Sequence, residues 1–302
     1  MNWRQLDLNL LVVFDAVMED RSVTRAGSRL GMTQPAISHA LGRLRHALKD
    51  ELFIRTRDGM EPTPRAEVLA APIHQALQDI RFAIEGAEPF SPADAERRFV
   101  VAVNNFAALV LASPLASAAC AEAPRVILDL RPAGTLDLMD QLDRGTIDLA
   151  LTAGEAHGER FRDVRIVEDK FVAVVRTGHP ATERGASLTM QALADWPHME
   201  ISSNRTAVDF VDAELAKHGL ARRLALRTPF LAAAASLKNS DMISILLERT
   251  AREFARSAAL QILDLPFETP TVMIAMLWHR RFDDLPAHRW LRNLVLRVAR
   301  SM

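Results

Sequence analysis

The residues best able to do chemistry in this 302-residue chain lie close together near its start. Thr33, Gln34 and Pro35 are followed by Ser38, His39 and Arg43, and then by Arg55 and Arg57. All but the proline carry a hydrogen-bond donor on the side chain. The chemistry open to such a set is recognition, because hydroxyl, amide, imidazole and guanidinium groups donate to phosphate oxygens and to base edges. Catalysis has less to stand on. No phosphate-cradling glycine loop, no GxSxG elbow and no HExxH occurs. His179, His198 and His279 are scattered without ligand spacing and read as satisfied surface or core histidines. The single cysteine, Cys120, sits in an apolar helical stretch and reads as a packing residue. An α/β enzyme acting on a small metabolite stays open as the alternative. A purely architectural DNA-binding protein would not need the two hundred residues that follow.

Charge is distributed in keeping with recognition. The whole chain carries only −1, but residues 21–65 hold nine Arg and Lys against four acids, a local excess of +5 in an acidic remainder. A basic footprint of this kind is what phosphate neutralisation requires, although a solvated charged face shows the same excess. With 49% hydrophobic and 25% charged residues the chain has the composition of a folded globular protein with two or three cores. One cysteine excludes an internal disulfide and suits a reducing, cytoplasmic setting. No apolar run approaches the roughly 18 to 20 residues that span a bilayer, and the first residues, MNWRQLDLNLL, lack the order of a signal peptide. The expectation is a protein neither exported nor inserted in a membrane, with no cofactor and no metal.

The elements that position the donors follow from periodicity and capping. Leu6, Leu10, Val13, Phe14 and Val17 recur at helical spacing and predict a first helix ending near Asp20. Ser22 caps a second helix through Leu30, with Ala26 and Gly27 allowing close approach, and Gly31-Met32 forms the turn. Thr33 caps a third helix with Pro35 in its first turn. Ile37, Leu41, Leu44 and Leu48 turn one side of it inward, which leaves Pro35, His39, Gly42, Arg43 and His46 outward and Ser38 and Arg45 on the flanks. That outer side fits a DNA major groove, or is simply a solvated polar face. ELFIRTRDGMEPTP then reads as a two-stranded wing turning at Asp58-Gly59.

At this point the run SVTRAGSRLGMTQPAISHALGRLRHALKDELFIRTRDGMEPTPRAEVL resembles the DNA-binding region of LysR-type transcription regulators, including the TQPAIS helix start and the LF.R wing entry. The resemblance implies a winged helix-turn-helix and assigns DNA contacts to Thr33, Gln34, Pro35, Ser38, His39 and Arg43, with Arg55 and Arg57 in support. His39 stands where many members carry arginine, and histidine is the weaker phosphate anchor near neutral pH.

Beyond Thr63-Pro64, Leu69, Ile73, Leu77, Ile80 and Ile84 form a coiled-coil-like seam. Pairing with a second copy is one reading and packing on the C-terminal domain the other; the resemblance implies pairing. Pro72 should kink or restart this helix near Ala71, and the prolines of Glu88-Pro89-Phe90-Ser91-Pro92 end it at a hinge.

From Arg97 on, strand-like FVVAV, a helix from Ala107 to Glu122, VILDL, a helix from Thr135 to Arg144, and IDLAL alternate. A second unit runs through FVAVV, MEI, a helix from Arg205 to His218 and a helix from Phe230, with VMIAMLW returning to the first lobe before a last helix from Leu285 to Arg300. The fold class is therefore α+β and α/β: residues 1–63 a winged helix-turn-helix, 64–96 a helical linker and hinge, and 97–302 a bilobal domain. This last part resembles the family's effector domain, which looks like a periplasmic binding protein in miniature. The resemblance puts Asn104, Asn105, Phe106, Thr135 and Thr152 of the first lobe, and Ser202, Ser203, Asn204, Arg205, Pro229 and Phe230 of the second, along the cleft. Strand-end capping is the other role open to each polar one. FVDAELAKHGL, ALRTPFLAAAASL and DLPAHRWLR look most like the branch of nodulation-gene and naphthalene-catabolism regulators, which sense flavonoids or aromatic acids. Phe106, Phe230, Leu231 and Ile245 fit a ring or fit a core equally. Ser244-Ile245-Leu246-Leu247 replaces the ATLP common in relatives. Family membership further implies promoter DNA, a small-molecule effector, a self-dimer assembling to a homotetramer, and RNA polymerase as partners.

Overall fold

The computed structural model describes residues 7–56, 59–85, 90–133, 137–154, 158–182, 188–201 and 209–302. They form two compact units. The first holds the described residues up to Phe90 together with Asp140–Ile147 and Asp284–Pro286, and the second holds the rest.

In the first unit α1 (Asn9–Asp20), α2 (Val23–Leu30) and α3 (Gln34–Leu48) surround Phe14, Val17, Ile37 and Leu44. The first helix begins three residues later than Leu6, at Asn9. Ser22 Oγ accepts from Arg25 N–H at 3.3 Å and Thr33 Oγ1 from Ala36 N–H at 3.4 Å, so both capping residues hold the helix starts. Gly27 is needed for packing, since a Cβ there would lie 2.7 Å from the Met32 carbonyl oxygen. Strands β1 (Phe53–Thr56) and β2 (Gly59–Pro62) pair antiparallel as the wing. Leu52, at φ 58° and fully buried, plugs the core where the chain turns into it. Each large side chain so buried contributes roughly 1.5–3 kcal/mol.

Helix α4 (Pro64–Glu85) runs unbroken across Pro72. This corrects the expected restart near Ala71. The proline removes one donor from the Val68 carbonyl, but Val68 is 75% exposed, so water can replace it. The seam also divides. Leu69 and Ile73 pack on the core of their own unit, whereas Ile80 and Ile84 are exposed.

The second unit is built on a sheet of nine strands among the described residues, ordered β4-β3-β5-β11-β6-β9-β7-β8, with β10 pairing β6. In the first lobe β3 (Arg98–Val103) lies parallel to β4 (Ile127–Pro132) and β5 (Leu149–Ala153), connected through α5 (Asn105–Glu122) and α6 (Leu138–Arg144). In the second, β7 (Pro197–Ile201), preceded by α7 (Met190–Asp195), lies parallel to β8 (Arg223–Thr228) and β9 (Ile243–Leu247), with α8 (Asp209–Ala216) and α9 (Phe230–Lys238) between the strands, and α10 (Glu248–Ser257) follows. Strand β11 (Thr271–His279) returns to pair antiparallel with β5, as its apolar run predicts. The sequence reading has FVAVV as a short strand, but it is the end of the 16-residue β6 (Phe161–Arg176). Its first part pairs β11, and Phe171–Arg176 pairs β9 and β10 (Leu260–Leu263) in the second lobe.

Helix α5 corrects the expectation about apolar runs. It is 18 residues long with a mean hydropathy of 1.3, enough by length and composition to cross a membrane. In the fold it is a crossover helix whose Leu111, Leu115 and Ala119 are buried. Cys120, expected to pack inward, is exposed. The final helix, α11 (Pro286–Arg300), is anchored at its start by His288. His288 Nε2 donates to the Asp148 carbonyl at 2.9 Å, Arg292 Nη1 donates to its Nδ1 at 2.8 Å, and its ring stacks on Phe282.

Candidate nucleic-acid interface and effector site

The donors singled out on α3 share one exposed surface. Thr33, Gln34, Pro35, Ser38, His39, Gly42, Arg43 and His46 are all exposed, while Ile37, Leu41 and Leu44 on the opposite side are buried. A Cβ at Gly42 would meet nothing within 4 Å, so the helix axis can approach a ligand closely there. Arg55 is exposed on β1. A hollow of about 400 Å³ between α3 and the wing is lined by Gln34, Ser38 and Arg55 and by Ser22 and Thr24 of the α2 start. Ser22 entered the sequence reading only as a cap and Thr24 not at all; their shared wall with Gln34 depends on how α2 crosses α3. Arg57 lies outside the described residues.

Several basic groups of the footprint are engaged internally. Arg45 Nε donates to the Glu51 carbonyl at 2.7 Å and Nη2 to the Phe53 carbonyl at 3.0 Å, so this flank residue braces the wing. Arg29 pairs with Glu19 and Asp20, and Arg25 donates to the Asp20 carbonyl. Arg43 is held less firmly, 3.2 Å from the Asp7 carboxylate with half its side chain exposed. Asp50 Oδ1 accepts from Leu52 N–H and from the Thr63 hydroxyl, both at 2.7 Å, closing the base of the wing. The Thr63 bond first, then the Leu52 bond, holds the Asp50 carboxyl below the usual range.

The described residues assigned to the effector cleft differ in their surroundings. Asn104 Oδ1 caps α5, accepting from Ala107 N–H at 2.8 Å; Asn105 beside it is exposed, and Thr152 is half-buried at the end of β5. Phe106 is buried against Val167, Ile274 and Ala299. Phe230 packs on Phe254, ring centroids 5.3 Å apart, in a different cluster, and Ile245 belongs to a third. Of the four candidate ring contacts Phe106 and Ile245 are core residues and Phe230 is half-buried. Leu231 is 95% exposed. Thr135, Ser202, Ser203, Asn204 and Arg205 lie outside the described residues. Among the described residues no group of three or more His, Cys, Asp or Glu could hold a metal. His179 and His198 are fully buried but only half satisfied. His179 Nδ1 accepts from Ala181 N–H and His198 Nε2 donates to the Leu193 carbonyl, leaving His179 Nε2 and His198 Nδ1 without a partner.

Residues 8–67 match the bacterial regulatory helix-turn-helix protein model of the lysR family, and residues 92–300 match the LysR substrate binding domain. The chain belongs to the LysR family of transcription regulators. It is 35% identical to the HTH-type transcriptional activator NagR of Ralstonia sp over 301 residues, covering 99% of each chain. It is 33% identical to Nodulation protein D 2 of Rhizobium tropici, covering 100% of this chain and 96% of that one. A crystal structure described as a probable transcriptional regulator from Pseudomonas aeruginosa superposes with a TM-score of 0.79 at 33% identity over 97% of both chains. These relatives match the branch indicated by the C-terminal segments, and they place the chain among regulators rather than α/β enzymes. In this LysR-family chain Ser244, the first residue of the Ser244-Ile245-Leu246-Leu247 run, is buried and donates to the Met199 carbonyl at 3.0 Å. It tethers β9 to β7 and is not available to a ligand.

Proposed function

We propose that this LysR-family regulator reads promoter DNA with the exposed side of α3 in the major groove and Arg55 of the wing on flanking phosphates. The observation that carries the reading is the single exposed surface holding Ser38, His39, Gly42 and Arg43 back to back with buried Ile37, Leu41 and Leu44. Functionally the chain divides at residues 63 and 96 into reading head, linker and effector domain. Exposed Ile80 and Ile84 support pairing of two copies along the lower part of α4, and family membership supports a tetramer acting in the cytoplasm and contacting RNA polymerase. The effector is an aromatic acid or phenolic compound, a reading supported by the resemblance to the nodulation and naphthalene-catabolism branch.

A gel-shift titration against the DNA immediately upstream of the gene, at two salt concentrations with unrelated competitor, tests this. Competitor-resistant binding that weakens steeply with salt is expected. Binding no tighter than to competitor, there and in a genome-wide pull-down, would overturn it.

A further inference from the structure

His74 reaches from α4 between two acceptors. Its Nδ1 lies 3.0 and 3.1 Å from the carboxylate oxygens of Asp15 in α1, and its Nε2 lies 3.4 Å from the carbonyl oxygen of Gly145. Gly145, at φ 68°, makes the turn after α6 and belongs with Asp140–Ile147 to the same compact unit as α1 and α4. A carboxylate and a carbonyl only accept. Neutral imidazole has one N–H and one lone pair, so it satisfies one of them and sets its lone pair against the other, whereas imidazolium donates to both.

Both side chains of the ion pair are mostly buried, His74 to 17% and Asp15 to 22% exposure. Among the described residues, Asp15 and Glu19 from α1 and the Gly145 carbonyl from the turn act on the ring. The Asp15 hydrogen bond, against the cost of burial and with smaller help from Gly145 and Glu19, holds His74 above the ordinary histidine value.

We propose that His74 is a proton-dependent clamp joining α1, α4 and the turn after α6, and that losing its proton releases the turn while the Asp15 bond is kept. The charged acceptor, Asp15, retains the remaining N–H, so the Gly145 contact is the one that goes. Segment 140–147 belongs in sequence to the effector domain, and the clamp fastens it to the helix that underlies the reading head. The clamp's effect at DNA rests on the proposed function; the clamp itself does not.

The test is hydrogen exchange of the full chain at pH 6 and pH 8, corrected for intrinsic rates, in wild type and His74→Gln, with the His74 ring titrated by NMR. A ring titrating above 6.5, and protection of 140–147 falling roughly threefold or more between the two pH values in wild type but not in the variant, are expected. A ring titrating at or below that value, or equal pH dependence in both proteins, would overturn the clamp. Gel shifts at both pH values form a separate arm. Loss of affinity at pH 8 in wild type alone supports the link to DNA, and absence of any DNA binding strikes the regulator reading while exchange still decides the clamp.

Discussion

The Arg45 guanidinium donates to the carbonyl oxygen of Phe53 at 3.0 Å, which makes the recognition helix and the first strand of the wing one piece. Its Nε bond to the Glu51 carbonyl fixes the same strand entry from a second point. Arg45→Ala should therefore cost about 1–3 kcal/mol of stability and weaken DNA binding through a loosened wing. Arg55→Ala should leave stability within about 0.5 kcal/mol and lower the salt slope of binding by roughly one. Urea denaturation beside salt-dependent gel shifts separates the two, and identical profiles for both variants would contradict the division of labour.

In the proposed reading of DNA by α3, Asp7 competes with DNA for Arg43. An exposed ion pair at 3.2 Å is worth little to the fold, about 0–1 kcal/mol, but it must open for the guanidinium to reach a base or phosphate. Arg43→Ala and Ser38→Ala should weaken promoter binding with unchanged oligomeric state, whereas Asp7→Asn should strengthen it by a few fold. Weaker binding by Asp7→Asn would mean that the pair orients Arg43 for DNA instead of withholding it.

The neighbours Asn104 and Asn105 should respond differently. Asn104→Ala removes the α5 cap and should cost about 1 kcal/mol. Asn105→Ala, at an exposed position, should blunt the transcriptional response to an aromatic inducer in a reporter strain. A normal response would remove Asn105 from the effector site.

Acid should destabilise the effector domain through two histidines. Burial holds His198 neutral down to about 4 and His288 down to about 3. Unfolded, each takes a proton near 6.5, so between that value and the folded one the unfolded chain binds protons the native chain refuses. Stability is therefore full above about 6.5 and falls as pH drops, on the order of 1–2 kcal/mol per histidine between pH 7 and pH 5. Urea curves for wild type and His198→Gln check this; an equally steep pH dependence in the variant would count against it. His74 acts in the opposite sense, since its raised value makes its stabilisation full below 6.5 and lost as pH rises.

The reading head was legible in the sequence because its information is local. Ser22 and Thr33 announce helix starts by their own side chains, and the inward residues of α3 determine which residues must point out. The bracing role of Arg45 is not legible, for the same reason. A helical wheel shows that it is on a flank but not that the wing folds back to meet it. The effector site was legible only as an architecture. Phe106 and Phe230 flank strand ends in sequence, yet each packs into a separate cluster because the side of the sheet a helix covers is set by the crossover. His74 gave no signal, as Asp15 and Gly145 are 59 and 71 residues away.

Strand β6 leaves the two lobes of the effector domain sharing one backbone. Pairing passes from β11 to β9 between Lys170 and Phe171 without a break in the chain, so the lobes are not two jaws on a slack hinge but two ends of a torsion bar. A rotation of one lobe against the other has to be stored as twist in that strand. A glycine or proline introduced near Lys170, at its midpoint, is expected to loosen the coupling between the lobes.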